Sequence, residues 1–154
     1  MSKIHSLLVS GFLVGLLCGC STVWSGNRQS DEPNVTKGKL QQYEKMMHVT
    51  FPGSTRGLNA REVTGGPDAM LYLKVEMDKE ELESFLKSSP FANADLRSDR
   101  PFVYNQKGVT WWTPADVKTY KSGQASLPDG EVLNVLIDLG QDKKVVIYLM
   151  WHET

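Results

Sequence analysis

Apolar and polar positions along the chain change period from block to block, and those periods predict its elements. An apolar run, Leu7-Leu8-Val9-Ser10-Gly11-Phe12-Leu13-Val14-Gly15-Leu16-Leu17, stands near the start, and a polar stretch follows over residues 21–37. Leu40, Tyr43, Met46 and Met47 then recur at spacings of three and four, which predicts a short helix over residues 38–47, broken by Phe51-Pro52-Gly53. Residues 59–63 read as a strand ahead of the turn Thr64-Gly65-Gly66-Pro67-Asp68. Leu71, Leu73, Val75 and Met77 alternate with Met70, Tyr72, Lys74 and Glu76, the period of two of a strand with one buried face.

Asp78-Lys79-Glu80-Glu81 has the form of an N-cap with a reciprocating carboxylate, and Leu82, Phe85 and Leu86 place one apolar stripe on the helix it opens. Pro90 disfavours helical geometry just before it and ends that helix near residues 88–89. Residues 90–110 carry no firm period and read as loop, with a short strand at Phe102-Val103-Tyr104. Thr113-Pro114-Ala115-Asp116 predicts a second helix start, running to about Tyr120. The strongest strand signal comes last: residues 132–139 and 145–151, β-branched and aromatic, joined by Gly140-Gln141-Asp142-Lys143 as a hairpin. The expected fold is α+β, a two-layer domain over residues 38–154. About four antiparallel strands pack under one main helix, in the order β-β-α-(α)-β-β.

One face of those strands is uniformly apolar and wants the helix. The other would carry Tyr72, Asn134, Asp138, Tyr148 and His152 among Met70, Val132, Leu136, Val146 and Met150. It is either a shallow binding face or a surface covered by the 38–47 helix or the long loop, because large apolar patches seldom stay bare on a monomer. Trp111 and Trp112 are adjacent, so on extended backbone one enters the core while the other stays near the surface, as an interface anchor or as edge packing. Tyr72, Trp112, Tyr148 and His152 are the candidate partner-binding residues.

The end of the first apolar run, Leu17-Cys18-Gly19-Cys20, resembles the lipobox of bacterial lipoproteins, and Lys3 supplies the basic start of such a signal. The run is about half the roughly 20 residues of a spanning helix. The resemblance implies a signal peptide over residues 1–19, cleavage before Cys20, and diacylglycerol on the Cys20 sulfur, whose thiolate is the nucleophile the thioether requires. Residues 20–37 would then be a flexible tether, polar and with Gly and Pro. Within it Trp24 suits the headgroup level of a bilayer or is an idle linker residue. Ser21, where an Asp would imply inner-membrane retention, implies the outer membrane in a cell that has two. The chain from Phe51-Pro52 to Tyr148-Leu149-Met150-Trp151 also loosely resembles small uncharacterised bacterial lipoproteins, a resemblance that implies no activity.

Composition removes several classes of function. With 154 residues there is room for one domain with a real core. Seventeen basic residues against 18 acidic ones leave no electrostatic footprint for nucleic acid. Both cysteines, Cys18 and Cys20, lie in the N-terminal segment, so the rest of the chain has no disulfide and no thiolate metal site. His48 and His152 lie outside any ligand spacing, and neither a metal nor a cofactor is expected. Asp78, Glu80, Glu81 and Glu83 suit a helix N-terminus, and Gly65-Gly66 lacks the context of a phosphate loop. Two functions stay open: a lipid-anchored binding or interaction module with an envelope protein as partner, or a small envelope hydrolase acting on cell-wall or lipid material. A deep pocket with converging titratable groups would mark the hydrolase.

Overall fold

The computed structural model of the chain describes residues 28–66 and 68–153; the expected signal peptide, Cys20 and Trp24 lie outside the described residues. Among the described residues six strands make one sheet: β1 (Arg28–Pro33), β2 (Arg56–Thr64), β3 (Met70–Asp78), β4 (Tyr120–Ser126), β5 (Val132–Asp138) and β6 (Lys144–His152). Their order is β1-β2-β3-β6-β5-β4, and every neighbouring pair is antiparallel. Two short helices, α1 (Lys37–Met47) and α2 (Leu82–Lys87), accompany the sheet, with single 3-10 turns elsewhere.

The expected two-layer domain of about four strands under one main helix is therefore corrected to a mostly β protein. Two strands were missed because neither bears a hydrophobic signal. β1 reads Arg-Gln-Ser-Asp-Glu-Pro and is largely exposed on both faces, so it joins the sheet through its backbone and a side-chain pair of Asp31 with Arg61 rather than through apolar burial. It takes residues that were read as tether. β4 reads Tyr-Lys-Ser-Gly-Gln-Ala-Ser, and it begins where the expected 113–120 helix was to end. That helix is a single 3-10 turn, Pro114–Asp116, after which Val117 returns to extended backbone. Residues 102–104 form no strand. The main helix shrinks to a 3-10 turn, Lys79–Glu81, followed by the six residues of α2. Asp78 does not cap it: its carboxylate pairs with Lys144 at 2.7 Å, and Glu81 takes the Ser54 hydroxyl.

The central strands are buried on both faces. In β5 and β6 the runs Leu133 to Ile137 and Val145 to Leu149 are buried at every position. One face packs Leu73, Val75, Met77, Val135, Ile147 and Leu149 against Leu40, Tyr43 and Met47 of α1 and Phe85 of α2. α1 begins where Thr36 accepts a hydrogen bond from the Lys39 amide, and it ends at His48 in the left-handed region (φ 53°). Phe51 stacks on Phe85 with centroids 5.8 Å apart, which locks the segment between the helices. The opposite face is covered by the long loop between α2 and β4, through Val103, Val109 and Trp112. Of the two readings of that face, the covered one describes the molecule, and the cover is the loop rather than α1.

α1 is also tied to β2 by charge. Lys39 Nζ and the Tyr43 hydroxyl both donate to Glu62 Oε1, each at 2.7 Å. The Lys39 bond, then the Tyr43 bond, hold the Glu62 carboxyl below its ordinary 4.5. A carboxyl depressed in the folded state adds stability above its unfolded value, and that stability is lost as pH falls through the folded value. Thermal melts below pH 4.5 are therefore expected to fall less steeply for Glu62→Gln than for the parent, and an unchanged slope would refute the contribution.

Candidate functional site

The sequence places Tyr72, Tyr148 and His152 on one sheet face by alternation, and Trp112 reaches that face from the loop. The structure brings three of the four together. Trp112 stands edge-on to Tyr72 at 5.3 Å (75°) and to Tyr148 at 5.2 Å (80°), geometries that set ring edges against ring faces. All three are buried, with Trp112 1% exposed and each tyrosine 4%. They form an internal plug and offer no contact surface. His152 is half-exposed at the end of β6, opposite Met70 and Val132, with Nδ1 3.3 Å from the Glu153 carbonyl oxygen.

Five residue pairs hold the loop in place. The Trp112 indole N–H donates to the Tyr104 carbonyl at 2.9 Å. Lys74 Nζ, lying over the Tyr148 ring at 4.9 Å, donates to the Trp111 carbonyl at 3.2 Å. Arg61 reaches the Gly108 carbonyl at 3.4 Å while its guanidinium grips Asp31 of β1 with two bonds, one of 2.6 Å. Arg61 chiefly, with a smaller contribution from the Trp111 indole, holds the Asp31 carboxyl below its ordinary range. At its start the loop crosses the sheet edge, where the Arg97 and Ser122 backbones exchange two bonds of 2.8 Å. The buried Ser122 hydroxyl donates to the Val135 carbonyl at 2.6 Å and accepts from the Phe102 amide at 2.8 Å.

A pinned loop can hold side chains outward on a rigid base. Tyr104 is 59% exposed, the most exposed large apolar side chain among the described residues. Trp111 is half-buried, edge-on to Trp112 at 5.6 Å, and Phe102 lies under the Arg100 guanidinium at 4.9 Å. Tyr104 and Trp111 thus bracket the buried Trp112, one through a carbonyl and one through a ring. The sequence would set the two tryptophans on opposite faces only on extended backbone; Trp111 lies instead in a turn, and the two rings pack against one another in one cluster. Tyr104 and the cations Arg61 and Lys74 were missed. Only Lys74 had a signal, as a lysine in the polar phase of β3 on the face the loop covers.

The grooves of the helix face are shallow and poor in chemistry. One of about 210 Å³ runs beside α1, between Lys37, Leu40, Glu44, Phe51 and Thr55. Its Glu44 accepts the Phe51 amide at 2.6 Å, and the Thr55 hydroxyl is buried without a partner. A wider one of about 530 Å³ lies at the β5–β6 turn, with Asp78, Lys79 and Lys143 at its walls. Asp78 is paired there with Lys144, and Lys79 Nζ donates to the Gln141 carbonyl at 3.0 Å. The carboxylates that shift, Asp31, Glu62 and Glu83, all move down toward a basic partner, the opposite of what a general acid needs. Among the described residues no three His, Cys, Asp or Glu side chains converge as a metal site would. Compared with known proteins, the chain matches no family model, no curated protein and no solved structure.

Proposed function

We propose that this chain is a binding or interaction module held by lipid at a bacterial envelope membrane, with an envelope protein as its partner. The lipobox-like Leu17-Cys18-Gly19-Cys20 supports the location, with Cys20 as the lipidated residue and the outer membrane, on its periplasmic side, as destination. The observation that carries the contact surface is the exposed Tyr104 on a loop fixed from beneath by Trp112, against whose ring half-buried Trp111 also packs. Aromatic side chains on a rigid base lose little freedom on binding and dominate interface energetics. Because β1 begins at Arg28, seven residues separate it from Cys20, and at full extension they reach roughly 25 Å. The module is thereby kept beside the membrane, and its partners are to be sought there. The hydrolase alternative gains no support from the shallow grooves and their paired charges.

A photo-crosslinking residue placed next to Tyr104 in intact cells is expected to capture one defined envelope protein. Tyr104→Ala should lower that capture roughly tenfold, the loss expected for an interface anchor. Hydrolysis of a cell-wall or lipid substrate by the purified protein, with no defined crosslink, would overturn the proposal.

A further inference from the structure

We infer that the outer edge of β1 pairs with β1 of a second copy of this chain, antiparallel and in one register. β1 is bonded to β2 on one side and forms one end of the sheet. Which of its backbone groups face outward follows from one contact. The Asn34 amide donates to the Leu58 carbonyl at 2.8 Å, which makes positions 34 and 58 a bonded pair. Bonded and non-bonded positions alternate along an antiparallel ladder, so Glu32, Ser30 and Arg28 also turn their backbone groups toward β2. Gln29, Asp31 and Pro33 turn theirs outward. Pro33, which has no N–H to offer, sits in the outward phase, as a proline on an edge strand should.

A two-fold pairing that sets Gln29 of each copy against Asp31 of the other uses all four outward N–H and C=O groups of those residues in each chain. The same register sets Arg28 directly against Glu32 of the second copy, twice, with Ser30 against Ser30 on the axis. Arg28 and Glu32 share one sheet face and form no ion pair among the described residues. A parallel pairing would instead set Arg28 against Arg28 and Glu32 against Glu32. Charges on an edge strand usually repel other strands; these select the antiparallel copy. The pairing does not rest on the lipid anchor, although confinement on a membrane would raise its occupancy.

The full-length chain carrying Cys18→Ser and Cys20→Ser, purified in mild detergent, provides a cysteine-free background for the test. At the axis Cα atoms of a non-bonded antiparallel pair stand about 4.5 Å apart, within disulfide range. Under mild oxidation Ser30→Cys is expected to give covalent dimer roughly tenfold above Lys121→Cys on the opposite edge strand. Adding Arg28→Glu or Glu32→Arg alone places like charges at both contacts and should lower the yield roughly fivefold. Combining the two should restore it. Equal yields from Ser30→Cys and Lys121→Cys, or no recovery in the double reversal, would overturn the inference. Either result leaves the Tyr104 experiment untouched.

Discussion

Trp112→Ala is expected to lower the unfolding free energy by about 3–5 kcal/mol, the range for deleting a large buried aromatic. Trp112 is 1% exposed and touches the rings of Tyr72, Tyr148 and Trp111, so its removal leaves a cavity under the loop and ends three edge-to-face contacts. It also strips the Tyr104 carbonyl of its donor. Because the remaining ties to this part of the loop, from Lys74 and Arg61, end on backbone carbonyls, they cannot fill the space. Urea denaturation should therefore show the loss, and limited proteolysis should open the chain between residues 103 and 112 first. Trp112→Phe keeps most of the volume but not the N–H, and should cost about 1–3 kcal/mol. A loss under 1 kcal/mol for Trp112→Ala, with the loop still protected, would show that the plug does not hold it.

Cys20→Ser should have the largest effect on where the protein is found. Each buried CH2 of an acyl chain contributes about 0.8 kcal/mol, so two or three chains bind effectively permanently while none leaves the domain free. The variant is expected to lack acyl mass by mass spectrometry and to stay in the supernatant when membranes are sedimented. Cys18→Ser should behave like the parent. Loss of acylation in Cys18→Ser alone would mean that Cys18 is the modified residue, and membrane sedimentation of Cys20→Ser would refute the anchor.

The sequence was most legible where burial is one-sided or complete. The alternation of β3, the β5–β6 hairpin and the three- and four-residue spacing of α1 each record a core contact, and these elements stand where their periods placed them. β1 and β4 were illegible because edge strands are specified by backbone pairing, which leaves no mark on side-chain polarity. The Thr113-Pro114 signal was overread, since a proline-led start needs an apolar stripe to continue it and Val117 alone supplies none. In the candidate site, Tyr72 and Tyr148 were assigned to the correct face, yet their burial depended on a loop without a period. Val103, Val109 and Trp112 follow no regular spacing, so only the folded chain could show that they form a layer.

The crossing of the loop at Arg97 has a consequence for assembly. The backbones of Arg97 and Ser122 occupy each other's hydrogen-bonding groups, and the Leu96 side chain lies so close to Gly123 that a Cβ there would meet it at 2.6 Å. The middle of β4 is consequently a closed border. If two copies join through β1, each turns outward an edge blocked at its centre, where a third copy would have to displace the Arg97 crossing. An open edge at both ends would permit endless addition and fibre formation. In the proposed pair, the Arg97 crossing would act as a terminator at the far edge of each sheet.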